Sequence, residues 1–112
     1  MQKFEYRTPR YLVDLPVLFR LQDANLPGRC KEISKEGMRI ELQHPVAADA
    51  CGTVSFSYKD LSLDLRVCVT HTGAEFNGLK FLFESDKDRS AVEHLVTLLA
   101  GSSGHSGPML VR

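Results

Sequence analysis

The feature that most constrains the fold is an alternating pattern over residues 61–70. Every second residue is a large aliphatic one (Leu61, Leu63, Leu65, Val67 and Val69), and the residues between them are mainly polar. Side chains of a β-strand point alternately to two faces, whereas a helix would spread this pattern around its whole circumference. The run therefore predicts a strand with one buried face, and the domain around it has to contain a β-sheet.

Five further segments repeat this two-residue period and are separated by turn-forming residues. The turns include 23–28, with Asn, Pro and Gly, and 34–37, which begins with Ser and ends with Gly. These residue types favour turns because they adopt or stabilise backbone conformations that strands do not use. Six short strands at such spacing predict an antiparallel sandwich or a closed barrel. The predicted strands are 15–22, 29–33, 38–43, 52–58, 61–70 and 76–84.

The period changes after the last strand. Ser85 is a suitable N-cap, and Asp88 three residues later gives a capping-box arrangement. The apolar residues that follow have helical spacing, which predicts an amphipathic helix over 86–99, ended by Gly101. That stripe consists of Val92, Leu95, Val96 and Leu99. The Gly- and Ser-rich tail 101–112 is expected to be flexible, with docking of residues 109–111 on a partner as the alternative.

The amino terminus differs from the rest in its charge. Residues 1–14 form a basic arm in which cationic and aromatic residues are interleaved and Pro9 excludes a regular helix. We therefore divide the chain into an arm (1–14), a β-barrel with its helix (15–100) and a tail (101–112). The interleaved residues of the arm are Lys3, Phe4, Tyr6, Arg7, Arg10 and Tyr11.

The overall charge limits the class of partner. The chain carries 14 Lys and Arg against 14 Asp and Glu. Broad binding of nucleic acid or of an anionic membrane requires an excess of positive charge, so neither is an expected partner. An anion site would have to be local. The apolar runs are shorter than the roughly 18 residues of a membrane span, and the first residues lack the apolar core of a signal peptide, so we expect a cytoplasmic protein without membrane insertion.

Catalytic and metal-binding patterns are not found. The cysteines Cys30, Cys51 and Cys68 are odd in number and far apart, which argues against a disulfide framework or a zinc site and suits a reducing compartment. The four histidines are scattered, without the spacing that metal ligands need. We therefore expect no enzyme activity, no metal and no cofactor.

Three local motifs, in this order, resemble those of the PilZ family. They are Tyr6-Arg7-Thr8-Pro9-Arg10, the segment from Glu32 through Ser34 to Gly37, and Gly78-Leu-Lys-Phe81. The resemblance covers residues 4–100. It implies an all-β fold, a six-stranded antiparallel split barrel with a C-terminal α-helix, and a bacterial receptor domain for cyclic di-GMP. The family usually spaces its arginines as Arg-x-x-x-Arg and has Asp or Asn where this chain has Glu32. Tyr6 stands four residues before Arg10.

The resemblance implies that the arm binds the nucleotide. Guanidinium groups hold phosphates through paired hydrogen bonds and can also bind or stack on guanine, which suits Arg7 and Arg10 as clamps. Tyr6 would stack on a base. The alternative is that these side chains are solvated charges on a frayed terminus.

The turn after the second predicted strand would supply the rest of the site. Glu32 would accept hydrogen bonds from guanine, Ser34 would donate one to a phosphate or ribose, and Gly37 would let the backbone approach the ligand. The alternative is an ordinary hairpin turn. Arg29 and Arg39 flank this turn and either adds positive potential.

Three functions follow from this interpretation. The first is a cyclic di-GMP receptor whose arm moves on binding and signals to an unidentified protein partner in motility, secretion or exopolysaccharide machinery. The second is a PilZ-like adaptor that does not bind the nucleotide and acts through protein contacts, which Tyr6 and Glu32 favour. The third and most distant is a flavin-binding split barrel.

Overall fold

The structure is a computed structural model that describes residues 8–102 and 110–111. In the described part of the chain, six long strands precede one helix, and a two-residue strand follows. In chain order these are β1 (Arg10–Arg20), β2 (Asn25–Ile33), β3 (Gly37–Leu42), β4 (Cys51–Tyr58), β5 (Leu61–Thr72), β6 (Asn77–Phe81), α1 (Asp86–Ser102) and β7 (Leu110–Val111).

The six long strands close into an antiparallel barrel. Neighbours follow the order β2-β3-β6-β5-β4-β1, and the additional pairing of β1 with β2 completes the ring. The predicted six-stranded antiparallel barrel with a C-terminal helix is confirmed. The short strand β7 pairs with the first residues of β1, where Arg10 lies opposite Val111 and Tyr11 opposite Leu110.

The core fills the inside of this barrel. The inward residues of β5 from Leu63 to Val69 are buried, as the alternation predicts. Helix α1 buries its apolar stripe in the same cluster, and Val92, Leu95 and Leu99 are fully inaccessible to solvent. Burying these aliphatic side chains removes apolar surface from water, which is the main favourable contribution to folding.

The first strand begins earlier than predicted. It starts at Arg10 rather than Leu15, so the last residues of the predicted arm belong to the barrel and Tyr11 is a core residue. The pairing of β1 with β2 shifts register between Leu12 and Leu15. A bulge of this kind changes the phase of the inside–outside alternation, so the strand is hidden from a search for a regular period.

The second strand also extends beyond its predicted start. It begins at Asn25 and includes Pro27 and Gly28, which we had assigned to a turn. The turn lies at 21–24, where the Leu21 N–H donates to the Ala24 carbonyl at 2.8 Å. Residues 25–27 pair with β1, and the pairing with β3 starts only at Gly28. Proline is tolerated there because this stretch has one neighbouring strand instead of two.

Helix α1 starts as predicted and ends later. The Asp88 N–H donates to Ser85 Oγ at 3.2 Å, which confirms the N-cap. The helix continues through Gly101 to Ser102, so Gly101 does not terminate it. Of the predicted flexible tail, Leu110–Val111 forms β7, and residues 103–109 and 112 lie outside the described part. No helix among the described residues is long and apolar enough to cross a membrane.

The cysteine prediction is wrong for two of the three residues. Cys51 and Cys68 form a disulfide between β4 and β5. They are 17 residues apart in sequence, but the hairpin register places them directly opposite each other. A disulfide is typical of oxidising compartments, so the cysteines do not support the inference of a reducing one. Cys30 is a buried free thiol in the core, and burial raises its pKa to about 12.

Counting reactive thiols tests both assignments. At pH 8 and without reductant, Ellman's reagent should detect no thiol in the native protein, because Cys30 is buried and its raised pKa keeps it protonated. Unfolding in guanidinium without reductant should expose Cys30 alone, and reduction should then release Cys51 and Cys68. Reaction of every thiol in denaturant before reduction would show that the disulfide is absent in solution.

Candidate functional site

A cleft of about 280 Å³ opens where the turn between β2 and β3 meets β5 and β6. Four of the six predicted site residues line it: Arg10, Glu32, Ser34 and Gly37. The barrel brings them together because β1 and β3 flank β2 on its two sides. Tyr6 and Arg7, the other two predicted residues, lie outside the described residues.

Glu32 is the centre of the charge arrangement in this cleft. Its side chain is only 14% exposed, and its two oxygens contact two different guanidinium groups. Arg10 Nη1 lies 3.5 Å from Glu32 Oε1, and Arg39 Nη1 lies 3.4 Å from Glu32 Oε2. Both distances exceed the roughly 2.7–2.9 Å of a tight charge-assisted hydrogen bond. The carboxylate therefore gathers two cations at the cleft and keeps lone pairs for another donor.

The hydroxyl of Ser34 is engaged inside the turn. It accepts hydrogen bonds from the N–H groups of Glu36 at 3.1 Å and Gly37 at 3.3 Å, and it donates to the Gly37 carbonyl at 3.4 Å. A hydroxyl has one hydrogen to donate and two lone pairs, so these contacts use its full capacity. In this arrangement, Ser34 shapes the turn that carries the site.

Glycine is required at position 37 because strands β3 and β6 approach each other closely there. A Cβ built at this position would lie about 2.1 Å from the Leu79 carbonyl oxygen of β6. No side chain fits at that distance, so a residue larger than glycine would force β3 and β6 apart. The backbone that approaches Gly37 is thus that of the neighbouring strand.

Arg39 is the flanking arginine that reaches the cleft. It lines the cleft beside Glu32, and its guanidinium carbon lies 5.5 Å from the centroid of the Phe76 ring, within range of a cation–π contact. Arg29 faces elsewhere: its Nε donates to Asp14 Oδ1 at 2.6 Å. That bond, with one from Lys31, holds the pKa of Asp14 below its ordinary value.

Thr70, His71 and Gly78 form a wall of the cleft that sequence reasoning did not assign to the site. The register between β5 and β6 shifts between Val69 and His71, and bulges of this kind often re-aim side chains beside a site. A Cβ at Gly78 would contact Thr70 Oγ1 at 3.3 Å, so this wall is closely packed. The resemblance had marked Gly78 by its motif, but nothing in the sequence connected His71 with it.

The arm approaches the same turn through Thr8. Its Oγ1 donates to Glu36 Oε2 at 3.0 Å, next to the Ser34 hydroxyl network.

Among residues 8–102, no three His, Cys, Asp or Glu side chains come together in a way that could hold a metal ion. The charged and titratable groups that line this small cleft are therefore two guanidinium groups, one carboxylate and one imidazole.

Comparison with solved structures shows related barrels. The chain is similar to the PilZ domain of CeSA from a cellulose-synthesizing bacterium, with TM-score 0.71 and 14% identity over 81% of this chain and 97% of that one. It is also similar to MrkH, a c-di-GMP-dependent transcription regulatory factor, with TM-score 0.75 and 15% identity over 88% of this chain and 52% of that one. An uncharacterized Legionella protein matches with TM-score 0.56 and 18% identity over 76% of this chain and 87% of that one.

At such low sequence identities, the structural similarity shows a shared fold alone, and the family is shown by the sequence profile. No curated protein matches the chain. The sequence profile of the PilZ domain matches residues 5–100, which includes the whole barrel and most of α1. The protein belongs to the PilZ domain family.

Proposed function

We propose that this domain is a receptor for cyclic di-GMP, bound at the cleft around Glu32. The observation that carries the proposal is the convergence of the Arg10 and Arg39 guanidinium groups on one carboxylate at the edge of an open cleft. PilZ domains form a family that binds cyclic di-GMP, and the related protein MrkH is described as dependent on it.

The chemistry of the cleft fits one half of the ligand. Guanidinium groups recognise phosphate, and guanine N1–H and N2–H₂ are donors that the remaining lone pairs of Glu32 can accept. At about 280 Å³ the cleft lies just below the usual range of ligand sites, which is about 300–1,000 Å³. The other half of the dinucleotide would then contact the arm, where we place Tyr6 and Arg7. Ser34 and Gly37 support this site by holding the turn.

The proposal includes a way for the domain to signal ligand binding to a protein partner. Arg10 begins β1, so the residues that we propose to respond to the ligand are those that precede it. Binding would move this segment relative to the turn that Thr8 contacts, and so change the surface offered to an unidentified protein partner in motility, secretion or exopolysaccharide machinery. Ordering each arm residue costs about 1–2 kcal/mol, which opposes the gain from the phosphate contacts.

A calorimetric titration of the protein with cyclic di-GMP is the direct test. We expect a micromolar dissociation constant, because the cost of ordering the arm offsets much of the gain from charge-assisted hydrogen bonds at about 1.5–3 kcal/mol each. The affinity should fall as salt rises, since exposed charge pairs are screened over about 8–10 Å at physiological ionic strength. Absence of binding at high micromolar ligand would contradict the proposal.

The second candidate function is an adaptor that has lost nucleotide binding. It is favoured by the two ion pairs of Glu32, which already neutralise part of the positive charge in the cleft, and by the Ser34 hydroxyl, which has no free hydrogen to donate. Tyr6, at the position where the family usually has arginine, points the same way. The titration separates the two functions, because an adaptor of this kind gives no heat with the nucleotide.

A further inference from the structure

We infer that Arg39 is the second guanidinium of a two-arginine clamp that binds an oxyanion at the mouth of the cleft, with Arg10 as the first. The inference deepens the proposed function and rests on it for the identity of the natural ligand, but the clamp itself is defined by geometry. It assigns a binding role to a residue of β3 that lies outside the three motifs.

The position of Arg39 is fixed by strand pairing. It lies opposite Glu32 on β2 and opposite Gly78 on β6. Arg10 comes from β1, on the other side of Glu32. The two guanidinium groups therefore reach the same carboxylate from opposite neighbouring strands, and each holds a different oxygen. The paired strands of the barrel set their separation.

The two arginines are held loosely enough to accept a ligand. Their side chains are 33% and 43% exposed, and the contacts with Glu32 are long at 3.5 and 3.4 Å. Each guanidinium has five N–H donors, and one such contact leaves most of them unused. Two cations and one carboxylate leave the group with an excess of one positive charge, so a phosphate is attracted to it.

The surroundings favour Arg39 as a binding residue over a simple surface charge. The Phe76 ring lies against its guanidinium and limits the positions that it can take. Gly78, directly across from Arg39 on β6, has no side chain, and both residues line the cleft. A guanidinium already oriented by a ring loses less conformational entropy when it grips a phosphate.

The test uses two probes, cyclic di-GMP and inorganic pyrophosphate, which carries the phosphate chemistry without a base. Nuclear magnetic resonance of the arginine Nε–Hε groups reports which guanidinium each probe contacts, and calorimetry gives the affinities. We expect both probes to shift the Arg39 and Arg10 signals. Arg39→Gln should weaken both affinities by at least about tenfold. Arg39→Lys, which keeps the charge and loses the fork, should recover part of the loss.

Arg29→Gln is the matched control. Arg29 also lies on a strand, is similarly exposed and is paired with a carboxylate, Asp14, but does not line the cleft. It should leave both affinities unchanged. A melting temperature equal to that of the wild type would show that the Arg39 variants are folded.

The outcomes separate the clamp from the proposed function. Pyrophosphate binding through Arg39 without cyclic di-GMP binding would support the clamp and contradict the proposal that cyclic di-GMP is the ligand. Cyclic di-GMP binding that leaves the Arg39 signal unmoved, or that Arg39→Gln does not weaken, would overturn the clamp and keep the ligand. Binding of neither probe would overturn both.

Discussion

Replacing Leu65 with alanine should lower the free energy of unfolding by about 2–5 kcal/mol. Leu65 lies in the middle of β5, is 2% exposed and pairs with the fully buried Val54 of β4. The truncation removes apolar contacts and leaves a cavity that a closed barrel cannot easily collapse, because both neighbouring strands are held by their hydrogen bonds. Urea denaturation followed by circular dichroism measures the change.

The control for this prediction is the next residue along the same strand. Arg66 points outward, and Arg66→Ala should change the free energy of unfolding by no more than about 0.5 kcal/mol. Because small domains are stable by only about 5–15 kcal/mol, Leu65→Val serves as a milder variant if the alanine form does not fold. Equal losses at the two positions would mean that β5 does not bury the face that its alternation predicts.

The parts of the fold that the sequence predicted are those in which the signal is local. The strand β5 follows from strict alternation, and the start of α1 follows from the Ser85 cap and the change of period. Each depends on residues a few positions apart, so neighbours in sequence are enough to specify them. Six such strands, each with one face to bury, predict a sandwich or a barrel, and the resemblance to the PilZ family favoured the barrel.

The parts that were missed depend on pairing between distant segments. The start of β1 is obscured by a bulge, and the start of β2 contains Pro27 and Gly28, which by themselves indicate a turn. The disulfide joins Cys51 and Cys68 because the β4–β5 register sets them opposite each other, and spacing alone carried no sign of this. Register is a property of two strands together, and a single stretch of sequence does not contain it.

In the candidate site, too, local motifs predicted some of the residues, whereas the contacts that depend on distant segments were missed. The motif residues Arg10, Glu32, Ser34 and Gly37 line one cleft, because a turn and its flanking strands keep such residues together. The motifs did not show how the polar groups are used. The Ser34 hydroxyl is engaged within its own turn, and the cleft wall that contains His71 comes from strands far away in sequence. The six-residue site remains a prediction until ligand binding is measured.

Arg10→Ala should weaken cyclic di-GMP binding by about 10- to 100-fold. Arg10 is the predicted arginine for which sequence motif and described geometry coincide: it lines the cleft, contacts Glu32 at 3.5 Å and is anchored at the first position of β1. Its loss removes one guanidinium from the phosphate and leaves Glu32 paired with Arg39 alone. The salt dependence of the remaining binding should also become shallower, because one fewer charge is screened.

Arg20→Ala is the matched control, because the two arginines lie at opposite ends of β1. Arg20 is also partly exposed and paired with a carboxylate, as its Nη2 lies 3.4 Å from Asp64 Oδ1, but it is remote from the cleft in the barrel. Removing it deletes the same charge and a similar ion pair, so a general effect of net charge would weaken binding equally in both variants. A selective loss at Arg10 places the ligand at the cleft. Equal affinities of the wild type and Arg10→Ala would show that the nucleotide, if it binds, does so elsewhere on the barrel.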